Sequence, residues 1–245
     1  MPLSSRIKAP REGRRGKRGD LPMAFQAGGQ RPAPQPVPVR PEAQAYLQDY
    51  AVLLEAVSFP SFVVDHRWDV ILANNAYTAL FRGIGQHPSA MPGDNFLRFV
   101  LFHPDAGAVL GEHESRWCLP MLAQFAAAVE STGPDHGLQA IRRDIAQDPI
   151  MEAAYRHGLP HWIRAVGAAA TRSDGAVRPL LHPDPRWGAT DCRVVEETPA
   201  TLRDLGYSRL TLVLREARRP APAPRRARRV RRPSGHLSVV PDSEV

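Results

Sequence analysis

Cysteine is nearly missing from this chain. Of 245 residues only Cys118 and Cys192 are cysteines. Two so far apart do not make a disulfide framework, so the expectation is a reduced, cytoplasmic protein. Lysine is as scarce: Lys8 and Lys17 stand alone among 32 basic residues, the rest being arginine. No apolar run approaches the roughly 18–20 residues that cross a bilayer, which excludes a membrane-spanning helix. The basic N-terminus lacks a continuous apolar stretch, which argues against a secretory signal. No Gly-x-Ser-x-Gly, Walker or Rossmann glycine pattern occurs. Nothing points to catalysis, so no enzyme, no catalytic residue and no cofactor is expected. The nine histidines do not cluster. Glu112-His113-Glu114 has no His-Glu-x-x-His around it, and a zinc site needs three or four ligands in closed geometry. No metal is expected.

Charge is present but unevenly placed. Residues 1–40 carry nine Lys/Arg against two acids, and residues 215–245 carry nine Arg against three. Residues 41–214 hold 14 basic and 20 acidic side chains. The body is therefore mildly acidic, which argues against a basic nucleic-acid groove on it. The Pro/Gly/Arg-rich segment 1–40 and the Arg/Pro-rich segment 217–245 cannot bury enough apolar surface to fold and are expected to be disordered tails. Their arginine clusters, Arg14 to Arg18 and Arg225 to Arg232, suit salt-dependent, sequence-independent contact with nucleic acid. A solubilising tail is the equal alternative.

With 43% hydrophobic residues, the body supports one sizeable core. A connecting helix is expected over 41–57, with Leu47, Tyr50, Leu54 and Val57 at helical spacing. The stretch FPSFVVDHRWDVILANNAYTALF (59–81) reads as a strand, a reversal at Asp65-His66-Arg67, a second strand and a helix. Phe62, Val64, Trp68, Val70 and Leu72 recur every second residue, and Asn74 is placed to cap the helix. A linker spans Gly83–Gly93, and Asp94 is expected to cap a short helix, NFLRFVLF. One long helix is expected from Asp105 to about Thr132, kinked at Pro120. Trp117, Met121, Phe125 and Val129 form one stripe on it. Short helices follow, over 137–146, 149–157 and 161–166. The last third turns strand-like at 176–181, 188–196 and 208–216. Two strands, a helical insert and three strands match an α+β, PAS-like five-stranded antiparallel sheet with helices on one side. The expected sensor domain covers residues 58–216.

FPSFVVDHRWDVILANNAYTALF, GDNFLRFVLFHPDA, a helix containing Trp117, and late strands near Leu181-His182-Pro183 and Trp187-Gly188 together resemble the MmyB-like transcription regulator ligand-binding domain. The resemblance covers about residues 55–216. It implies a PAS-like domain of an XRE-type, mostly actinobacterial regulator that encloses an apolar ligand, with fatty acids as the class. Such domains normally follow a helix-turn-helix, and only 40 low-complexity residues precede the first helix here. The expectation is that a partner or a missing N-terminal domain supplies DNA binding. Two departures stand out. Met151 and Tyr155 occupy positions where the family tends to place larger aromatics, and HPDPRWG (182–188) is longer than the usual His-Pro turn.

The candidate apolar pocket draws on Phe62, Val64, Val70, Leu72, Phe96, Phe99, Trp117, Met121, Phe125 and Val213, each of which equally suits a filled core. Head-group candidates are Arg98, a lone cation on an apolar helix with forked donors for a carboxylate, then Arg178 and His182. Arg98 equally suits a solvent-facing position. The partners considered are an apolar small molecule of fatty-acid type, a homodimer mate, and nucleic acid at the basic tails. The competing reading is a nucleic-acid-associated scaffold that acts through those tails.

Overall fold

The computed structural model describes residues 41–215, and both basic tails lie outside them. Five strands form one antiparallel sheet: β1 (Ser61–Asp65), β2 (Val70–Ala73), β3 (Val177–Leu181), β4 (Ala189–Glu197) and β5 (Tyr207–Leu214). Their order is β2-β1-β5-β4-β3, so the opening hairpin lies beside the last strand. The fold is α+β, as the two-plus-three strand pattern implies.

Each strand has two faces because successive side chains alternate. Phe62 and Val64 of β1 join Leu210, Leu212 and Leu214 of β5, and Cys192 and Val194 of β4, in the main core. Helices α2 (Asn75–Leu80), α3 (Phe96–Phe102), α4 (Leu119–Thr132), α5 (His136–Gln147), α6 (Pro149–Ala153) and α7 (Leu159–Val166) contribute to that core. The other face is not bare. Val63 packs there with Tyr50 and Leu54 of α1 (Pro41–Glu55) and Leu202 of α8 (Ala200–Asp204). Helices therefore cover both faces, where the sequence reading placed them on one.

Register corrects two further expectations. A bulge between Val63 and Val64 pairs Val63 with Leu72 and Val64 with Val70. Leu72 thus joins the α1 side. Val213 pairs with Arg193, on the opposite face from Leu210 and Leu212. In LTLVL the three leucines share one face, and Val213 shares the other with Thr211, so period two already sets Val213 apart from the core leucines.

The segment expected as one long helix is broken. A short 3-10 turn covers Ala106–Ala108, and a π turn, Glu114–Cys118, leads into α4. The same arrangement recurs at Ala154–Gly158 before α7. Each π turn precedes a Leu-Pro pair, Leu119-Pro120 or Leu159-Pro160. Proline lacks an N–H and its ring collides with the carbonyl four residues back. Widening the preceding turn removes that collision: Leu119 N–H reaches Glu114 O and Leu159 N–H reaches Ala154 O, five residues back. Pro120 opens α4 rather than kinking a longer helix.

Candidate functional site

Two buried asparagines fix the hairpin to its surroundings. Asn74 accepts from Tyr77 N–H at 2.9 Å and from Ser61 N–H at 3.0 Å. Its amide donates to the carbonyls of Val57 and Phe59, both at 2.9 Å, and of Leu54 at 3.3 Å. One side chain thus caps α2 and ties off α1. Asn95, not Asp94, caps α3 by accepting from Arg98 N–H at 2.8 Å. Its amide donates to Arg67 O and to Asp69 Oδ1. The Asp94 carbonyl accepts from Val70 N–H at 2.9 Å. The hairpin end is thereby held over α3. Trp68, in that turn, has φ 63°. A bulky residue there costs on the order of 1–2 kcal/mol, a strain that persists only where surrounding structure holds it.

Between sheet and helices lies a narrow cavity of about 20 Å³, lined by Phe62, Trp68, Phe96, Trp117, Met121, Gln124, Ser173, Arg178, Val194, Leu210 and Leu212. That is room for about one water molecule. Phe62 and Phe96 lie 5.0 Å apart between centroids with their rings tilted by 52°, and Phe96 meets Trp117 edge-on at 6.3 Å.

Arg178 is the unusual wall residue. It is only 4% exposed, and its guanidinium lies 4.9 Å over the Trp117 ring. Among the described residues no carboxylate stands within salt-bridge distance of it. Burial pulls its pKa down to about 10, Arg116 adds to the fall, and Cys192 opposes it. It is still a cation at neutral pH. A buried, unpaired charge is rare because desolvation is costly. Gln124 and Ser173 are the other polar wall groups: Ser173 Oγ donates to Glu196, whereas Gln124 Nε2 is buried with no hydrogen-bond partner among the described residues.

Two open grooves share walls with the cavity. One, of about 220 Å³, includes Arg116, Arg172, Trp162 and Arg178. The other, of about 350 Å³, includes Asp65, Trp68, Gln124, Ser173, Glu196 and Leu210. The groove beside Arg178 is basic, and the one beside Gln124 carries two acids.

The structure gathers only some of the pocket candidates. Phe62, Phe96, Trp117 and Met121 line the cavity with Arg178. Val64 lines the acidic groove. Phe99 and Phe125 are fully buried core, and Val70 packs against it. Arg98 does not reach the cavity; it pairs with Asp144 of α5 at 2.6 Å. That partner lies 46 positions away in sequence, which is why the lone cation looked free. His182 lines a separate groove with Leu80, Arg82 and Ile84. Its Nδ1 accepts from Asp184 N–H, and burial lowers its pKa despite Asp184. Trp68, Gln124, Ser173, Val194, Leu210 and Leu212 were missed as wall residues. Gln124 sits seven residues beyond Trp117, two helical turns on, a spacing that would have placed it on the same face.

Other chemistry is quiet. No group of three or more His, Cys, Asp or Glu able to hold a metal occurs among the described residues. Cys118 lies 3.3 Å from His113 Nε2. The pair is not an activated nucleophile: burial pushes the Cys118 thiol up to about 12, with Glu114 adding to the rise. No helix among the described residues is long and apolar enough to cross a membrane.

No curated protein matches the chain. A family model, MmyB-like transcription regulator ligand binding domain, matches residues 47–173, just over half of the 245. The match takes in α1 from Leu47 onward, the hairpin, Trp117 and Gln124, and ends before β3, so Arg178 lies beyond it. The chain belongs to the MmyB-like transcription regulator ligand-binding domain family.

Proposed function

We propose that this sensor domain of transcription-regulator type binds an apolar acid of fatty-acid class, with its carboxylate on Arg178. Arg178 carries the reading. A guanidinium that is buried, stacked on Trp117 and without a carboxylate partner is stabilised by an incoming anion, while the aromatic and aliphatic wall suits an alkyl chain. The family membership supports the same reading. The basic groove at Arg116 and Arg172 is the approach for the acid head.

The cavity of about 20 Å³ is too small for an alkyl chain, so binding requires the wall to part. Met121, with its flexible thioether, is suited to move. A ligand shifts a protein between two arrangements only by its differential affinity for them. The route outward is short: Phe62 lines the cavity, and the next residue, Val63, packs on Tyr50 and Leu54 of α1. Parting the wall at Phe62 disturbs the seat of α1, which stands where the family connects sensor to DNA reader. DNA reading is then the work of another domain or partner. The PAS-like reading is supported by the five antiparallel strands with the opening hairpin beside the last strand. The role is binding rather than catalysis.

Thermal melting of the full chain with decanoic to tetradecanoic acids tests this. A hundredfold excess over Kd adds about 2.7 kcal/mol, a rise of several degrees for a chain of this size. Arg178→Met abolishes the rise. No rise with any acid, together with only ligand-free protein in native mass spectra of material purified from cells, overturns the reading.

A further inference from the structure

Of the three polar side chains on the cavity wall, Arg178, Gln124 and Ser173, only Ser173 has a hydrogen-bond partner among the described residues, Glu196. Arg178 lies over Trp117, and Gln124 follows Trp117 by seven residues along the π turn and α4. At 1.5 Å per residue that is roughly 10 Å along the helix. The cavity therefore has a buried cation over Trp117 and an unpartnered amide about two turns further along the same helical path, with Met121 between Trp117 and Gln124 on one face. Orphaned buried amides are uncommon and costly, and Gln124 has no hydrogen-bond partner for Nε2 among the described residues.

Resting on the acid-binding reading above, we infer that the ligand is an oxygenated acid: a carboxylate for Arg178 and, toward the far end of its chain, a neutral hydroxyl or keto oxygen for Gln124. A plain alkyl chain leaves the Gln124 amide unsatisfied. A hydroxyl both donates and accepts, so it satisfies the amide in either orientation. A second carboxylate fits poorly. Asp65 and Glu196 line the groove that shares Gln124, with His66 its one basic side chain, Arg178 is the one cation on the cavity wall and is taken by the first carboxylate, and a buried charge without a partner is strongly unfavourable. The charge asymmetry of the two grooves also fixes the direction, with the acid head toward Arg116 and Arg172. Gln124 is thus a specificity-determining residue.

The test is a calorimetric Kd series on the full chain with decanoic, ω-hydroxydecanoic and decanedioic acids, repeated with octanoic and dodecanoic counterparts. The hydroxy acid of best-fitting length binds roughly tenfold tighter than its unsubstituted partner, because it satisfies one buried polar group. The diacid binds more weakly than either. Gln124→Leu removes the preference for the hydroxy acid, so that the plain and hydroxy acids of one length bind alike. The wild-type ratios decide the matter even where the variant fails to fold. Equal affinity for plain and hydroxy acids at every length overturns this inference and leaves the acid-binding reading standing. Absence of binding by every acid overturns both.

Discussion

The Arg178 guanidinium lies over the Trp117 ring, 4.9 Å from its centroid, and Trp117 Nε1–H donates to Pro179 O at 3.0 Å. Strand and helix are thus stitched at two adjacent points, one of them a charge with no carboxylate. Stacking on the ring offsets about 1–2 kcal/mol. Loss of hydration costs more: a pKa drawn from 12.5 to about 10 by burial corresponds to roughly 3 kcal/mol at about 1.36 kcal/mol per unit. Arg178→Met keeps the stem and removes the charge, so ligand-free protein is expected to melt a few degrees higher than wild type. Differential scanning calorimetry on delipidated protein checks this. A lower melting temperature would mean that the ring contact outweighs desolvation.

Asn74 is the joint on which α1, β1 and α2 meet. Its amide hydrogens serve three carbonyls and its oxygen serves two N–H groups. Asn74→Asp keeps the shape and the cap but turns the donor end into an acceptor facing carbonyl oxygens. The variant is expected to lose on the order of 3 kcal/mol or more at neutral pH, measured by urea unfolding. The sign of its pH dependence follows. The new carboxyl is favoured in its protonated form when folded, so its folded-state pKa lies above the unfolded value near 3.9. The variant therefore regains stability as pH falls toward that value, opposite to the wild-type trend.

Much of this was legible in local pattern. The capping role of Asn74 followed from an asparagine before an apolar helical run, and the hairpin followed from period two. The cap of α3 was misplaced by one residue because Asp94 and Asn95 are both good caps, and only the contact of Asp94 O with Val70 N–H separates them. What failed was non-local. The partner of Arg98 is on α5, and the bulge between Val63 and Val64 that turns Leu72 toward α1 depends on how β1 and β2 pair. Gln124 carries no apolar signal in the stripe of Trp117, Met121 and Phe125, and an orphaned amide is visible only once its neighbours are in place.

Asp135 joins the hairpin turn to α5. It caps α5 through Leu138 N–H at 2.9 Å and pairs with Arg67 at 2.7 Å and His66 at 3.3 Å. Burial alone would raise its pKa. Hydrogen bonds from Leu138, Arg67 and His66, with the charge of Arg67, outweigh it and hold the carboxyl well below the usual range. A depressed folded-state pKa gives stability that is complete above the unfolded value of about 3.9 and lost as pH falls below it. Asp135→Asn keeps the cap and is expected to cost less than about 1 kcal/mol at neutral pH, whereas Asp135→Ala costs about 1–2 kcal/mol. The Asn variant should also show a shallower stability loss between pH 4 and 2. Urea midpoints across that range measure both.

The two thiols report whether the core opens. Cys118 is 8% exposed and Cys192 fully buried. Burial pushes each up to about 12, with Glu114 adding to Cys118, while Arg178 opposes the rise at Cys192. Only the thiolate attacks a disulfide reagent, so both should be nearly inert to Ellman's reagent at pH 8 in the folded chain and react fully in denaturant. Cys192 pairs across the sheet with Arg178, at the cavity wall. If an acid ligand parts that wall, the Cys192 reaction rate changes on adding the acid while Cys118, which donates to Val100 O and does not line the cavity, keeps its rate. Cys118→Ser and Cys192→Ser single variants assign the two rates. Equal changes at both sites would show general loosening of the core instead of opening at the Arg178 wall.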